Sequence, residues 1–253
     1  MRSVLQETLP LPESAERVLA DLDEVETRRA YARDVWTWIV SCVSTVDELD
    51  PSTPIKPFPS QVCPEHARYA GGPIPLQCPA CAGCMQPLAY LRDLARQWQS
   101  STPPLLLIPK ARRMRLTWLM VACHVWLAVQ RPHSNVFFVS SKEQKSAELI
   151  DRAHGILARL SRYGGSQRVQ PVADPPSLRL ENGALIMGVP EGADQLRQYT
   201  ATAILADEFG TWQWPRQAFV AMRPCIDGGG RLTLLSSAWP GTWAEMVRGE
   251  FLG

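Results

Sequence analysis

The sequence predicts an α/β protein, built on a mainly parallel sheet with helices on both faces. Short apolar runs alternate along the chain with longer segments in which apolar residues recur at helical spacing. The clearest strand, 201–205, is apolar enough to be buried on both faces, and Asp207 and Glu208 follow it. Ligands bind at the carboxyl ends of strands in open α/β sheets, so two acids in that place indicate chemistry.

Composition sets broad limits on function. The chain has 253 residues, is 45% hydrophobic and carries a formal net charge of +1. Such a chain can bury a full core, but its charge gives no global nucleic-acid signature. DNA contacts would have to come from local patches or from an oligomeric ring. No apolar run is long enough for a bilayer span and no signal peptide is evident, so we expect a cytosolic chain.

The first region, 1–60, is predicted to be helical and to end in a proline-rich linker. A helix is expected to start near Ser14 and to run to Val46. Four prolines then forbid regular structure, because proline lacks the N–H that a helix or a sheet needs. They are Pro51, Pro54, Pro57 and Pro59.

The second region, 61–85, has the spacing of a zinc module. Cys63 and His66 form one pair with a two-residue gap, and Cys78 and Cys81 form another. Two such pairs complete a tetrahedral Zn²⁺ site, which is structural because no position stays open for water. Cys84 is an alternative to His66. Unmetallated buried thiols remain the other explanation.

The third region, 86–253, contains a strand, a basic loop and a helix in succession. Lys110 ends the strand 104–110, and Thr117 stands just before the helix 118–129. Phosphate-binding loops occupy this position. The usual glycines are missing, since Lys110 and Arg115 stand at the two glycine positions and Leu116 replaces the usual lysine. A basic turn at the sheet edge is the alternative. We expect Arg115 to keep a negative φ unless it contacts phosphate itself.

The strand that ends in Asp207 and Glu208 has the Walker B arrangement. In that arrangement Asp207 would hold Mg²⁺ through its water shell, and Glu208 would polarise the water that attacks a γ-phosphate. The alternative is a strand that runs into a solvated acidic turn. Together with the basic loop, this strand predicts a P-loop NTPase core that uses ATP and Mg²⁺.

The order of segments resembles the ATPase domain of a tailed-bacteriophage large terminase subunit, an ASCE-type P-loop NTPase. That family often uses a displaced Walker A motif, whose register Lys110, Arg113 and Thr117 fit. The resemblance implies that Lys110 or Arg113 binds the phosphates and that Thr117 contacts Mg²⁺. Gln86, at the start of the helix 86–99, is assigned to nucleotide binding on the same basis.

The remaining segments follow the order of that family. Residues 194–198 resemble its element before Walker B, which implies that Arg197 reaches a nucleotide, often that of the next subunit. The strand 231–241 contains Ser236 and Ser237, which resemble its coupling motif and imply contact with the γ-phosphate. A solvated arginine and an ordinary serine turn are the alternatives. The sequence also predicts a strand over 135–141, a helix over 142–160, a hairpin over 178–187 and a helix over 212–222.

The resemblance implies a motor that hydrolyses ATP and moves double-stranded DNA into a viral procapsid in the host cytoplasm. Expected partners are the portal protein, the small terminase subunit and further copies of the chain in a ring, with no membrane. No segment is expected to supply the nuclease domain that large terminases usually carry. A helicase-like translocase and a non-hydrolysing assembly scaffold are the alternatives.

Overall fold

The computed structural model describes residues 13–46, 56–58, 89–101, 104–161, 164–192, 196, 198–238 and 245. Several predicted site residues lie outside these ranges, so their roles stay predictions. They are Cys63, His66, Cys78, Cys81 and Cys84 of the zinc module, together with Gln86 and Arg197.

The N-terminal region forms two helices instead of the single helix that the sequence predicts. Helix α1 spans Glu13–Arg33 and α2 spans Val35–Cys42. The break occurs at Asp34, whose backbone is extended and whose carboxylate accepts a hydrogen bond of 3.0 Å from the N–H of Trp36. Aspartate favours such N-cap positions because its carboxylate satisfies a free N–H of the first turn. Strands β1 (Ser44–Thr45) and β2 (Lys56–Pro57) then form a short antiparallel pair, so the expectation that the prolines forbid regular structure is wrong at Pro57. Proline is tolerated in such an edge strand.

A seven-stranded sheet dominates the rest of the described chain. Its strands are β3 (Leu105–Lys110), β4 (Asn135–Ser140), β5 (Val169–Val172), β6 (Ser177–Leu180), β7 (Leu185–Pro190), β8 (Ala203–Asp207) and β9 (Arg231–Ser237). They lie in the order β3-β9-β8-β4-β7-β6-β5. The first five are parallel to one another, β6 pairs antiparallel with β7, and β5 pairs antiparallel with β6. The mainly parallel sheet is therefore confirmed.

Helices cover both faces of this sheet. The longer ones are α3 (Ala89–Ser100), α4 (Leu116–Gln130), α5 (Glu143–Leu157) and α6 (Pro215–Met222), with 3₁₀ turns at Phe209–Thr211 and Arg223–Ile226. Side chains alternate along each strand between two cores: Phe138 of β4 packs with α3, α4 and α5, whereas Phe137 packs with α6. Among the described residues, no helix has the length and apolar character that crossing a membrane requires.

The hairpin predicted around Asn182 and Gly183 is confirmed. Leu178 of β6 pairs with Ile186 of β7, and Gly183 has a φ of 83°, a conformation in which glycine has no Cβ penalty. The predicted helix over 212–222 begins only at Pro215, because the backbone of Trp212 is extended and that of Trp214 is also non-helical. Proline suits that first helical position, where its missing N–H costs no hydrogen bond.

Candidate active site

The site lies where three parallel strands end at one edge of the sheet. Strand β9 separates β3 from β8, and its last residue, Ser237, pairs in register with Lys110. On its other side Leu235 of β9 pairs with Asp207, the last residue of β8. Adjacent parallel strands place their carboxyl ends together, so β3, β9 and β8 all contribute residues to one place.

Four predicted site residues meet at this edge. The ammonium of Lys110 lies 2.5 Å from Oε1 of Glu208 and 3.9 Å from Oδ1 of Asp207. It also donates to Oγ1 of Thr117 at 3.4 Å. The hydroxyl of Thr117 in turn donates to Oδ1 of Asp207 at 3.3 Å. The structure thus joins the end of β3, the start of α4 and the end of β8 in one polar cluster.

The pKa values of the two acids in the cluster are shifted in opposite directions. Burial raises the pKa of Asp207, Glu208 adds to that rise, and the charges of Lys110 and Arg152 oppose it. Burial also acts to raise the pKa of Glu208, but its hydrogen bond to Lys110, the lysine charge and the N–H of Ser237 bring it below its usual value. Burial is thus the main influence on the pKa of Asp207, whereas the lysine and the Ser237 N–H stabilise the carboxylate of Glu208.

In the loop between β3 and α4, two arginines adopt a backbone conformation that usually requires glycine. Arg113 has a φ of 65° and Arg115 a φ of 58°, both in the left-handed region. Arg115 therefore does not keep a negative φ, and the other expectation, that it contacts phosphate itself, stays a prediction. Such a conformation costs a non-glycine residue about 1 kcal/mol. Two hydrogen bonds to Met114 offset this cost. The carbonyl of Met114 accepts from the Tyr90 hydroxyl at 3.0 Å, and its sulfur accepts from the N–H of Ala111 at 3.2 Å.

Glu208 itself adopts a left-handed conformation, with φ 53° and ψ 34°. Its carbonyl accepts hydrogen bonds from the N–H and the hydroxyl of Thr211, at 2.9 and 2.8 Å. The indole N–H of Trp212 donates to the carbonyl of Asp207 at 3.0 Å. The turn after β8 is thus fixed by its own side chains, and the Glu208 carboxylate faces Lys110.

The two serines of β9 contact this turn. The Ser236 side chain is fully buried; its hydroxyl accepts from the N–H of Gly210 at 2.9 Å and donates to the carbonyl of Ser237 at 2.8 Å. The backbone N–H of Ser237 donates to Oε2 of Glu208 at 3.4 Å. Sequence reasoning did not find the link to Gly210, because it depends on the register between β8 and β9.

Arg152 is a further residue that the sequence did not indicate. Its guanidinium carbon lies 5.3 Å from the ring centroid of Trp118, and its charge acts on Asp207. The only hint in the sequence that Arg152 could lie near the site is that its partner Trp118 directly follows Thr117. Arg152 itself lies on α5, where a charged residue normally indicates a solvated helix face.

Thr200, in the segment that leads into β8, lies away from this edge. The carbonyl of Thr200 accepts a hydrogen bond of 3.2 Å from the side chain of Asn135, the first residue of β4. The carbonyl of Leu196 accepts from the thiol of Cys225 at 3.3 Å. Thr200 is therefore near the amino ends of the strands, roughly 15 Å from the edge with Glu208, given about 3.3 Å per strand residue.

The fold and this cluster define a class: a mixed α/β protein with a lysine, a hydroxyl residue and two acids at the carboxyl edge of its parallel strands, as in P-loop ATPases. Solved structures of the same fold are phage large terminase ATPase domains. That of Thermus phage P74-26 has a TM-score of 0.50 at 16% identity, covering 60% of this chain and 66% of that chain.

A point mutant of the same domain has a TM-score of 0.51 at 14% identity, covering 64% of this chain and 69% of that one. The large terminase of bacteriophage HK97 has a TM-score of 0.49 at 14% identity, covering 60% of this chain and 34% of that chain. No protein-family model and no curated protein matches the sequence. The resemblance to terminase ATPase domains is thus confirmed for the fold.

Proposed function

We propose that this chain is the ATP-hydrolysing motor domain of a viral DNA-packaging terminase, which moves double-stranded DNA into the procapsid. The observation that carries the proposal is the convergence of Lys110, Thr117, Asp207 and Glu208 at the carboxyl edge of the sheet, at distances of 2.5 to 3.9 Å. An arrangement that served packing alone would not gather a lysine, a hydroxyl and two acids at one edge.

The cluster fits a nucleotide with Mg²⁺. Asp207 and Thr117 offer neighbouring hard oxygen ligands, which Mg²⁺ prefers together with water and phosphate oxygens. Thr117 lies in the first turn of α4, where free N–H groups and the helix dipole attract anions. Lys110, together with Arg113 of the loop, supplies the positive charge that phosphates need. The bound Mg²⁺ would neutralise charge that develops on the phosphate oxygens.

Glu208 is the base in this proposal. Its pKa lies below the usual value, so the carboxylate is ionised and can orient a water for attack on the γ-phosphate. Its Oε1 accepts a hydrogen bond from Lys110. Phosphates compete for that ammonium, so nucleotide binding would draw Lys110 toward the phosphates and leave the carboxylate to the water.

Arg197 acts in trans in this proposal, completing the site of the next subunit in a ring. The resemblance of residues 194–198 to the family's element before Walker B supports this assignment. A ring would also concentrate DNA contacts that a chain of net charge +1 cannot make alone. The portal protein and the small terminase subunit are the proposed partners, and the host cytoplasm the proposed location.

The region 61–85 would add a structural Zn²⁺ site formed by Cys63, Cys78 and Cys81 with His66 or Cys84. Such a module lacks a core of its own, so its metal would supply its folding free energy.

The deciding experiment measures ATP binding and hydrolysis by the wild type and by Glu208→Gln. The amide keeps the shape but cannot polarise water, so turnover should be lost while ATP affinity stays within a few-fold. Packaging of DNA into procapsids would then distinguish a terminase from a helicase-like translocase. Absence of ATP binding by the wild type with Mg²⁺ would favour the assembly scaffold, and undiminished turnover by the variant would remove Glu208 as the base.

A further inference from the structure

The hydroxyl of Ser236 is committed to the turn that carries Glu208. Ser236 is fully buried, accepts the N–H of Gly210 at 2.9 Å and donates to the carbonyl of Ser237 at 2.8 Å. Its single proton is therefore used within the protein. A hydroxyl in this state does not offer a donor to a ligand at the open edge.

Gly210 and Ser236 fit each other closely. A Cβ on Gly210 would lie 2.5 Å from Oγ of Ser236, whereas the next nearest atom, the carbonyl oxygen of Ser237, is 3.5 Å away. Gly210 does not have a positive φ, so space and not backbone conformation demands glycine here. Any side chain at this position would push the turn away from β9.

Strand β9 thus holds Glu208 at two points. The Ser236 hydroxyl fixes the backbone two residues beyond it, and the N–H of Ser237 contacts its carboxylate at 3.4 Å. Between these points Glu208 keeps its left-handed conformation, with a φ of 53°. A base that has to align water with a phosphorus atom needs this kind of support, because a displacement of about 1 Å can cost on the order of 100-fold in rate.

We propose that Ser236 is a positioning residue: through Gly210 it holds Glu208 in place for attack by water, and it makes no contact with the nucleotide. The role of Glu208 as base comes from the function proposed above. The assignment for Ser236 differs from the γ-phosphate contact that the sequence resemblance implies, and the two assignments give opposite effects on binding and turnover.

Kinetics of Ser236→Ala separate the two roles. Loss of the clamp should lower kcat about 10- to 100-fold while the Kd for ATP changes less than twofold. Ser236→Cys, which keeps the size and a weak hydrogen-bonding group, should recover part of kcat. The matched control is Ser146→Ala, since Ser146 is equally buried and bonds a backbone carbonyl within α5; it should leave both constants unchanged. A variant with weakened ATP binding, or with unchanged kcat, would overturn the proposal.

A double-mutant cycle tests the clamp without reference to hydrolysis. Gly210→Ala should lower the urea midpoint of unfolding strongly when Ser236 is present. In the Ser236→Ala background the drop should be much smaller, because the atom that the new Cβ would strike is gone. Equal drops in both backgrounds would contradict the clamp. If the wild type hydrolyses no ATP, the proposed function fails, while the cycle still decides whether Ser236 holds the turn.

Discussion

Lys110 and Glu208 form an ion pair, with 2.5 Å between the ammonium and Oε1, although strand β9 lies between the strands that carry them. Both side chains are mostly removed from water, with 11% and 28% of their surface exposed. Water therefore screens the pair only weakly. Anything that binds the lysine more strongly than Glu208 does also changes the contacts of Glu208.

Replacement of Lys110 by alanine should weaken ATP binding by at least about 10-fold, because a buried charge-assisted contact to phosphate is worth roughly 1.5 kcal/mol or more. Calorimetry with ATP and a non-hydrolysable analogue measures the change. Lys145→Ala is the control, since Lys145 is exposed on α5 and should leave affinity unchanged. Equal affinity of Lys110→Ala and the wild type would remove Lys110 from the phosphate site.

Arg197→Ala should abolish turnover in assembled rings, and the isolated chain should hydrolyse ATP slowly even when unmodified. A missing arginine finger commonly costs on the order of 1,000-fold or more in kcat. Mixing Arg197→Ala with Glu208→Gln on portal-bearing procapsids should restore part of the activity, because some interfaces then combine an intact arginine with an intact base.

The control for that experiment is Arg179→Ala, on the exposed side of β6. It should behave as the wild type does. Rapid hydrolysis by a demonstrated monomer would show that Arg197 acts within its own chain or not at all.

One equivalent of Zn²⁺ should be found in the protein purified without chelator. Cys78→Ser should lose that metal and expose the region 61–85 to proteolysis, because metal-binding energy in such modules is folding energy. Cys42→Ser is the matched control, since Cys42 is a free thiol at the end of α2. Metal analysis that finds no zinc in the wild type would refute the site.

His124 should make the protein less stable as the pH falls from about 6.5 to about 4. It is fully buried, its Nδ1 donates to the Met120 carbonyl at 2.7 Å, and burial lowers its pKa to about 4. In this window the unfolded chain takes up a proton at His124 and the folded chain does not. The free energy of unfolding should therefore fall by about 3 kcal/mol in total and level off below about pH 4.

Urea unfolding at several pH values measures this contribution. His124→Gln should remove it, whatever the variant does to stability at neutral pH. His154→Gln should keep it, because His154 is exposed on α5. An unchanged pH dependence in His124→Gln would assign the acid sensitivity to other groups.

Sequence reasoning found the strands that are buried on both faces. Strands β4 and β8 are largely apolar, so their burial on both faces is visible in composition alone. The edge strand β5 was missed because it is half exposed and contains Pro171, which removes a ladder donor and is tolerated only at an edge. Strand β5 can be recognised only from its pairing with β6.

The same limit applies to the site. Lys110, Thr117, Asp207 and Glu208 could be predicted because each stands at the end of a strand or the start of a helix. The contacts between them, and the clamp on the turn after β8, depend on which strands are neighbours. Apolar patterns carry no information about that order, and only the family resemblance pointed to it.

The place of β9 between β3 and β8 also has a consequence for how the site comes into being. Leu105 of β3 pairs with Leu232 of β9. The sheet that carries Lys110 and Glu208 therefore depends on contacts between residues that are far apart in the sequence. Contacts between residues so distant in sequence form late and slowly, because a long loop must close before they stabilise anything. During synthesis, the cluster of Lys110, Thr117, Asp207 and Glu208 should therefore assemble only after residues 231–237 have emerged. The proposed ATPase activity would be absent from a nascent chain that lacks β9.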